Sequence, residues 1–320
     1  MSYLLEIKNL SVVISDNKRV LVNDVSFGIK SGEAVGVVGE SGSGKTLSAL
    51  SVLNLLARGL NTDSGSINFQ GKDLLKISSE EMRDIRGNQI AMIYQDPMTA
   101  LNPVMKIGEQ LMEVLDSHQH LIIDKKQHIL NGLAAVGIAD PNRAYESYPH
   151  EFSGGMRQRV MIAMSLLLSP KLLIADEPTT ALDVTIQRQI LALVARERRR
   201  RQMSMLWITH DLGVVANLVD RVIVMYAGRV VEVGTVEEIF KAPKHPYTAG
   251  LLASLPAADN NREKLASIPG VPPKPWQVIN NCAFAPRCKS AKDICFSHRP
   301  ELTSSDASSV ACFFPLGDVS

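Results

Sequence analysis

The stretch "GESGSGKT", Gly39 to Thr46, fits the pattern G-x-x-x-x-G-K-[ST] in full, and its flanks decide the fold. Before it, "EAVGVVGE" (33–40) is an apolar run of buried-strand type that stops at glycines; after it, "GKTLSALSVLNLLA" (44–57) places apolar residues at helical spacing. Strand, glycine turn and helix in that order make a phosphate loop. Gly39, Gly42 and Gly44 let the backbone of the loop, completed by Glu40, Ser41 and Ser43, curl until its N–H groups point into a concavity. The following helix adds the positive end of its dipole to that anion site. Lys45 is placed to reach the β- and γ-phosphates of a nucleotide, and the Thr46 hydroxyl to ligand Mg²⁺. A glycine-rich turn with a chance Lys-Thr is the bland alternative, and the strand-turn-helix context argues against it.

Working outward, "IAMIY" (90–94), "KLLIAD" (171–176), "MLWIT" (205–209) and "RVIVMY" (221–226) are further short apolar strands, mostly separated by helical stretches. This alternation predicts an α/β domain with a parallel, buried sheet. Between about 97 and 168 the pattern is instead helical, with "KIGEQLMEVL" and "KKQHILNGLAAVGI" amphipathic, so a helical lobe is expected within an ATPase domain spanning 1–241. A run of prolines from Pro243 to Pro275 then breaks the pattern and marks 242–320 as an extension. With 45% hydrophobic and 21% charged residues the chain has the composition of a soluble globular protein, and 34 Lys plus Arg against 33 Asp plus Glu leave a net charge of +1, no global reason to expect nucleic acid. No apolar run approaches the roughly 20 residues that span a bilayer, and the amino terminus lacks a secretory signal pattern, so a cytoplasmic setting is expected.

Hydrolysis needs groups for metal and water. In "LLIADEP" (172–178) an apolar strand delivers Asp176, suited to Mg²⁺, and Glu177, suited to polarise the attacking water. Two acids after a strand are by themselves more often a helix cap, and the phosphate loop changes that balance. "FSGGMRQR" (152–159) opens another helix on a Ser-Gly-Gly turn, a second potential anion site.

With these residues the chain resembles the ATP-binding subunits of ATP-binding cassette (ABC) transporters. "FSGGM" corresponds to that family's signature, usually written LSGGQ, with Phe152 and Met156 as departures at its ends. Gln95 in "MIYQDP" matches the Q-loop, Asp183 in "TALD" (180–183) the D-loop, and His210 in "WITHDL" the switch histidine. The resemblance implies a head-to-tail dimer of ATP-binding subunits. One supplies the phosphate loop, Gln95, Asp176, Glu177 and His210, and the other supplies Ser153, Gly154 and Gly155 to the γ-phosphate. Where such subunits usually stack adenine on an aromatic ring, this sequence has Ile14, so packing on aliphatic surface is expected instead.

"DPMTALNP" (96–103), "YPHEFSGGMRQRVMIAM" (148–164), "ADEPTTALDVTIQ" (175–187) and "HPYT" (245–248) are similar to the dipeptide and oligopeptide import branch, the peptide/nickel family. That likeness implies a second ATP-binding subunit (a related chain or another copy), two membrane-spanning permease subunits, an extracytoplasmic solute-binding protein, and a peripheral place on the cytoplasmic face of the membrane. Peptide import is the leading implication, with nickel or another small solute as the alternative. "RERRRR" (196–201) raises a rival, a soluble ABC ATPase acting on nucleic acid or ribosomes; its place at a helix end, where cations are favoured, reads first as a solvated terminus.

All four cysteines, Cys282, Cys288, Cys295 and Cys312, fall in the extension, at a spacing C-x5-C-x6-C-x16-C. A reducing compartment disfavours disulfides, and the lack of C-x-x-C departs from the usual zinc patterns, leaving zinc, an iron–sulfur cluster and unpaired structural thiols open, with a redox sensor as a further functional class. The tail resembles the C-terminal extension of peptide-importer ATPases, through "IPGVPP" (268–273) and the step Pro286, Arg287, Cys288. That resemblance implies a [4Fe–4S] cluster on the four cysteines, with Zn²⁺ as the alternative.

Overall fold

The structure, a computed structural model, describes residues 3–96, 100–118, 122–180, 182–255, 267–275, 277, 279–305 and 308–317. Residues 97–99 and Ala181, inside stretches quoted above, lie outside the described residues. The chain divides into two compact units, Met1–Lys76 with Trp207–Ser320, and Ile77–Leu206.

The first unit carries the phosphate loop. Strand β1 (Leu5–Ile14) pairs antiparallel with β2 (Val20–Ile29) and with β4 (Leu60–Phe69), whose other edge holds the short β5 (Lys72–Asp73). Leu5 and Ile7 alternate inward; a bulge at Asn9, in the left-handed region at φ 50°, resets the register so that Leu10 and Val12 face the core again. Strand β3 (Ala34–Val38), buried at all five positions, runs parallel to β9 (Arg221–Tyr226). β9 turns through Ala227 and Gly228, both at positive φ as a tight hairpin requires, into antiparallel β10 (Arg229–Thr235). The far end of the chain then adds β12 (Ser308–Val310) to β10, and β11 (Thr303–Ser305) to β12. This sheet is therefore mixed, and the separate antiparallel sheet of β1, β2, β4 and β5 is additional to the parallel one expected from sequence. Helix α1 (Lys45–Val52) leaves the phosphate loop.

The second unit pairs β6 (Ile90–Ile93) parallel with β7 (Leu172–Asp176), after α2 (Ser79–Ile85), which Ser78 and Glu81 cap reciprocally. The helical lobe follows expectation: α3 (Ile107–Ser117), α4 (Lys125–Ala135) and α5 (Pro141–Glu146) pack on one another and lead to α6 (Gly154–Leu166). Gly108 allows the close approach of α3 to the Tyr145 ring, which a Cβ there would meet at 2.5 Å. Helix α7 (Val184–Arg201) carries the arginine run, and its end is more than a solvated terminus. The buried Glu197 carboxylate accepts from Arg200 at 2.7 Å and Arg201 at 3.3 Å, while Arg201 also donates to the Leu166 carbonyl at 2.8 Å and Arg196 to the Ala135 carbonyl. These arginines close the carboxyl ends of α6 and α4. The chain leaves this unit within β8 (Ser204–Thr209).

Candidate active site

At the phosphate loop, Gly39 is demanded by contact: a Cβ there would lie 2.1 Å from the Met225 carbonyl oxygen, and φ is +154°. Gly44, at φ 96°, turns the chain into α1. The Gly228 N–H at the hairpin tip donates to the Ser43 carbonyl at 3.1 Å, bracing the loop from the β9–β10 side. Lys45 is buried, and its ammonium donates to the carbonyls of Gly39 at 2.8 Å and Glu40 at 2.9 Å and to Ser43 Oγ at 3.4 Å. A buried cation is stabilised by a nearby anion, which suits this loop to a phosphate group. Ser41, Gly42 and Thr46 are exposed along the same turn. His210 is exposed at the end of β8, where Asp211 closes the turn by accepting from the Gly213 N–H at 2.8 Å. Ile14 is half-buried at the end of β1.

In the second unit β7 ends in Asp176, 6% exposed, followed by Glu177 at φ 44°. A non-glycine residue in that region is strained, as side chains held at functional sites often are. Its carboxylate accepts from the Thr180 hydroxyl at 2.9 Å. Gln95 is exposed just beyond β6. Ser153 caps α6, its Oγ accepting from the Met156 N–H at 3.4 Å, and leaves the helix N-terminus with Gly154 exposed. Phe152, the departure at the start of the signature, is buried, so it serves the core rather than the turn. Asp183 caps α7, its carboxylate accepting from the Ile186 N–H at 2.9 Å.

The four cysteines of the tail line one small cavity in the first unit, together with His245, Pro246, Phe284 and Phe314. Burial pushes the Cys282 and Cys288 thiols above their ordinary value and Cys312 up to about 11. Backbone N–H groups point back at the sulfurs, from Phe284 and Ala285 to Cys282, from Ser290 to Cys288 and from Phe314 to Cys312. Such donors stabilise thiolates. Among the described residues no three or more His, Cys, Asp or Glu side chains are gathered to hold one metal ion.

Sequence reasoning passed over a set of side chains joining this tail to the phosphate loop. Arg287, in a short turn (Ala285–Arg287), grips the Glu40 carboxylate with both nitrogens, at 2.6 and 2.9 Å, and the pair raises the arginine's pKa further. The Tyr247 hydroxyl accepts from the Glu40 N–H at 2.8 Å. The available signal was a charged residue inside the phosphate loop and another beside a cysteine, with nothing in their spacing to join them.

Comparison with known proteins fits this layout. Residues 22–180 match the ABC transporter family, and residues 231–295 match the oligopeptide/dipeptide transporter C-terminal region. Among solved structures, cbiO1 from Clostridium perfringens, part of the ABC transporter complex cbiONQ, superposes with a TM-score of 0.65 at 27% identity, over 76% of this chain and 92% of that one. The dimeric ATP-binding cassette MJ0796 bound to ADP and Pi shares the fold with a TM-score of 0.64 at 24% identity, over 72% and 98%. The phosphate loop, the Ser-Gly-Gly turn and the helical lobe are thus those of an ABC transporter ATPase.

The likeness to curated proteins is closer. The chain is 50% identical to the oligopeptide transport ATP-binding protein OppD of Haemophilus influenzae over 308 residues, covering 95% of this chain and 94% of that one. It is 46% identical over 319 residues to the dipeptide transport ATP-binding protein DppD of Escherichia coli, covering 98% of each. The chain belongs to the family of oligopeptide and dipeptide transport ATP-binding proteins.

Proposed function

We propose that the chain is the ATP-hydrolysing subunit of a peptide-import ABC transporter. The observation that carries this is the near-full-length similarity to peptide-transport ATP-binding proteins, cassette and C-terminal region together, around an intact phosphate loop. The loop amides and Lys45 hold the phosphates, and the Thr46 hydroxyl and Asp176 offer the hard oxygen ligands that suit Mg²⁺, which would supply charge neutralisation at the γ-phosphate. By the family resemblance, Glu177 would take the proton of the attacking water, and Gln95 and His210 are assigned to the γ-phosphate. The Ser153, Gly154 and Gly155 turn serves a nucleotide held by a second ATP-binding subunit, in line with its exposed N-terminus. Adenine packs on aliphatic surface near Ile14.

Further partners follow from family membership: two permease subunits, and a solute-binding protein outside the membrane. No helix among the described residues is long and apolar enough to cross a bilayer, which suits a peripheral place at the cytoplasmic face. For the tail we favour a [4Fe–4S] cluster on Cys282, Cys288, Cys295 and Cys312. Four thiols line one cavity, with backbone amides on three of them, and the choice of iron–sulfur over zinc rests on the resemblance of the tail to peptide-importer ATPases. Four protein ligands fill such a cluster, which points to a structural or redox role.

The test is Glu177→Gln assayed with the partner subunits. Hydrolysis is expected to stop while ATP binding persists in a closed dimer, and turnover at the wild-type rate would overturn the assignment. Peptide uptake into vesicles holding the assembled complex, dependent on ATP, tests the transport reading.

A further inference from the structure

Glu40 is held at three points, and two of them belong to the cysteine-bearing tail. Its carboxylate receives both nitrogens of Arg287, its N–H donates to the Tyr247 hydroxyl, and its carbonyl accepts from Lys45 at 2.9 Å. The Arg287 side chain is 3% exposed and that of Glu40 26%, so the pair is largely shielded from water and salt. The remaining guanidinium capacity is spent on the same side: Nε donates to the Pro269 carbonyl at 2.9 Å and Nη1 reaches the Tyr226 hydroxyl at 3.2 Å. Tyr226, Tyr247 and Phe284 pack as one aromatic cluster around it, with ring centroids 4.6 to 5.4 Å apart.

The other end of this assembly is the cysteine cavity. Arg287 lies immediately before Cys288, in a turn whose backbone bonds run from Ala285 N–H to the Cys282 carbonyl and from Cys288 N–H to the Ala285 carbonyl. Phe284 touches the arginine on one side and lines the cavity on the other. Whatever fixes Cys282 and Cys288 fixes the turn, and the turn fixes the arginine. A bidentate guanidinium–carboxylate pair is directional, so displacement of the turn moves Glu40 or releases it. Glu40 shares its peptide units with Gly39 and Ser41, whose amides must point at phosphate.

We propose that Arg287 is a positioning residue for the phosphate loop, acting through Glu40, and that the state of the cysteine-bearing turn thereby sets the affinity for ATP. The proposal deepens the ATPase reading above and rests on it, since the loop must bind ATP for Arg287 to tune it.

The experiment is equilibrium binding of a fluorescent ATP analogue to the full chain as wild type, Glu40→Gln, Arg287→Met, the double variant and Arg287→Lys, with iron, zinc and Tm measured on each. Each single variant is expected to weaken binding about fivefold or more, within the range of coupling between sites. The double variant should be no weaker than the weaker single one, and Arg287→Lys should recover part of the loss. Wild-type affinity in Glu40→Gln, or additive losses in the double variant, would overturn the proposal. Should Arg287→Met fail to fold, Glu40→Gln still decides, because it leaves the tail's own contacts in place. Cys288→Ser should weaken ATP binding as Arg287→Met does, and wild-type affinity there would remove the cysteine half of the proposal. Failure of the wild type to bind ATP would instead strike the ATPase reading, and a wild-type chain free of iron and zinc would strike only the cluster.

Discussion

Gly154 and Gly155 stand side by side at the start of α6 and are glycines for different reasons. A Cβ on Gly155 would lie 2.9 Å from Ile186 Cγ2 on α7, and a β-branched side chain has little freedom to yield. A Cβ on Gly154 would meet no described atom within 4 Å. Gly155 therefore answers to its own fold, whereas Gly154 is free of that constraint and suits the proposed role toward a nucleotide on a second subunit. Gly155→Ala should lower stability by about 1–3 kcal/mol through overpacking, visible as a lower Tm of the isolated chain. Gly154→Ala should leave that Tm unchanged or raise it, while hydrolysis by the assembled dimer falls about 100-fold, the scale of losing one charge-stabilising donor. Undiminished hydrolysis in Gly154→Ala would show that the turn does not face a nucleotide. The two roles could not be separated in the string "FSGGM", where the glycines are equivalent letters; the distinction depends on Ile186, thirty-odd positions away.

At the scale of the element, the end of α7 shows how charge reads differently in sequence and in structure. Six consecutive positions, Arg196 to Arg201, look like a cationic patch, but the one acid among them, Glu197, has a side chain only 2% exposed and organises its neighbours. Glu197→Gln keeps the shape and removes the charge that Arg200 and Arg201 answer. The loss of a charged hydrogen-bond acceptor in a buried position costs about 1–3 kcal/mol, toward the low end here because the Arg200 side chain is 59% exposed. At about 2–4 °C per kcal/mol for a unit of this size, a Tm drop of several degrees with unchanged ATP affinity is the expected result; an unchanged Tm would mean that the arginines are merely solvated. The elements legible from sequence were those that announce themselves by uninterrupted burial. β3, β6, β7, β8 and β9 are apolar runs, and α3 and α4 are amphipathic. β1, β2 and β4 were not legible, because one face of each meets water and bulges interrupt the alternation. The phosphate loop, Asp176, Glu177 and the Ser-Gly-Gly turn were legible because backbone geometry ties each to a fixed local pattern. Arg287 and Tyr247 were not, since their meaning lies in a contact with Glu40 across more than 200 positions.

For the whole molecule, the question is whether residues 242–320 form an appendage that can be removed. The first unit argues that they do not. β12 pairs with β10 through Glu232↔Val310 and Val233↔Ser309, and the Ala311 N–H donates to the Val231 carbonyl at 2.9 Å, so the tail covers a sheet edge that would otherwise be open. The Glu232 carboxylate, 2% exposed, accepts from the N–H groups of Lys244 at 2.6 Å and His245 at 2.9 Å. Without them a buried charge loses its partners. Tyr226 would lose Tyr247 and Phe284 from its ring faces, at about 1.5–3 kcal/mol for each large apolar side chain whose burial is lost. A chain ending at Lys241 should therefore be less stable by several kcal/mol, with a Tm at least ~10 °C lower on the scale of a domain this large, and a greater tendency to associate through the uncovered β10. Removing the proposed cluster from the intact chain with a chelator would be a milder lesion, because β12 and the Glu232 bonds survive it, and the Tm should fall by less than in the truncated chain. Equal melting of the truncated and intact chains would mean that the cassette is complete at residue 241. The tail would then contribute nothing to the fold that holds the phosphate loop.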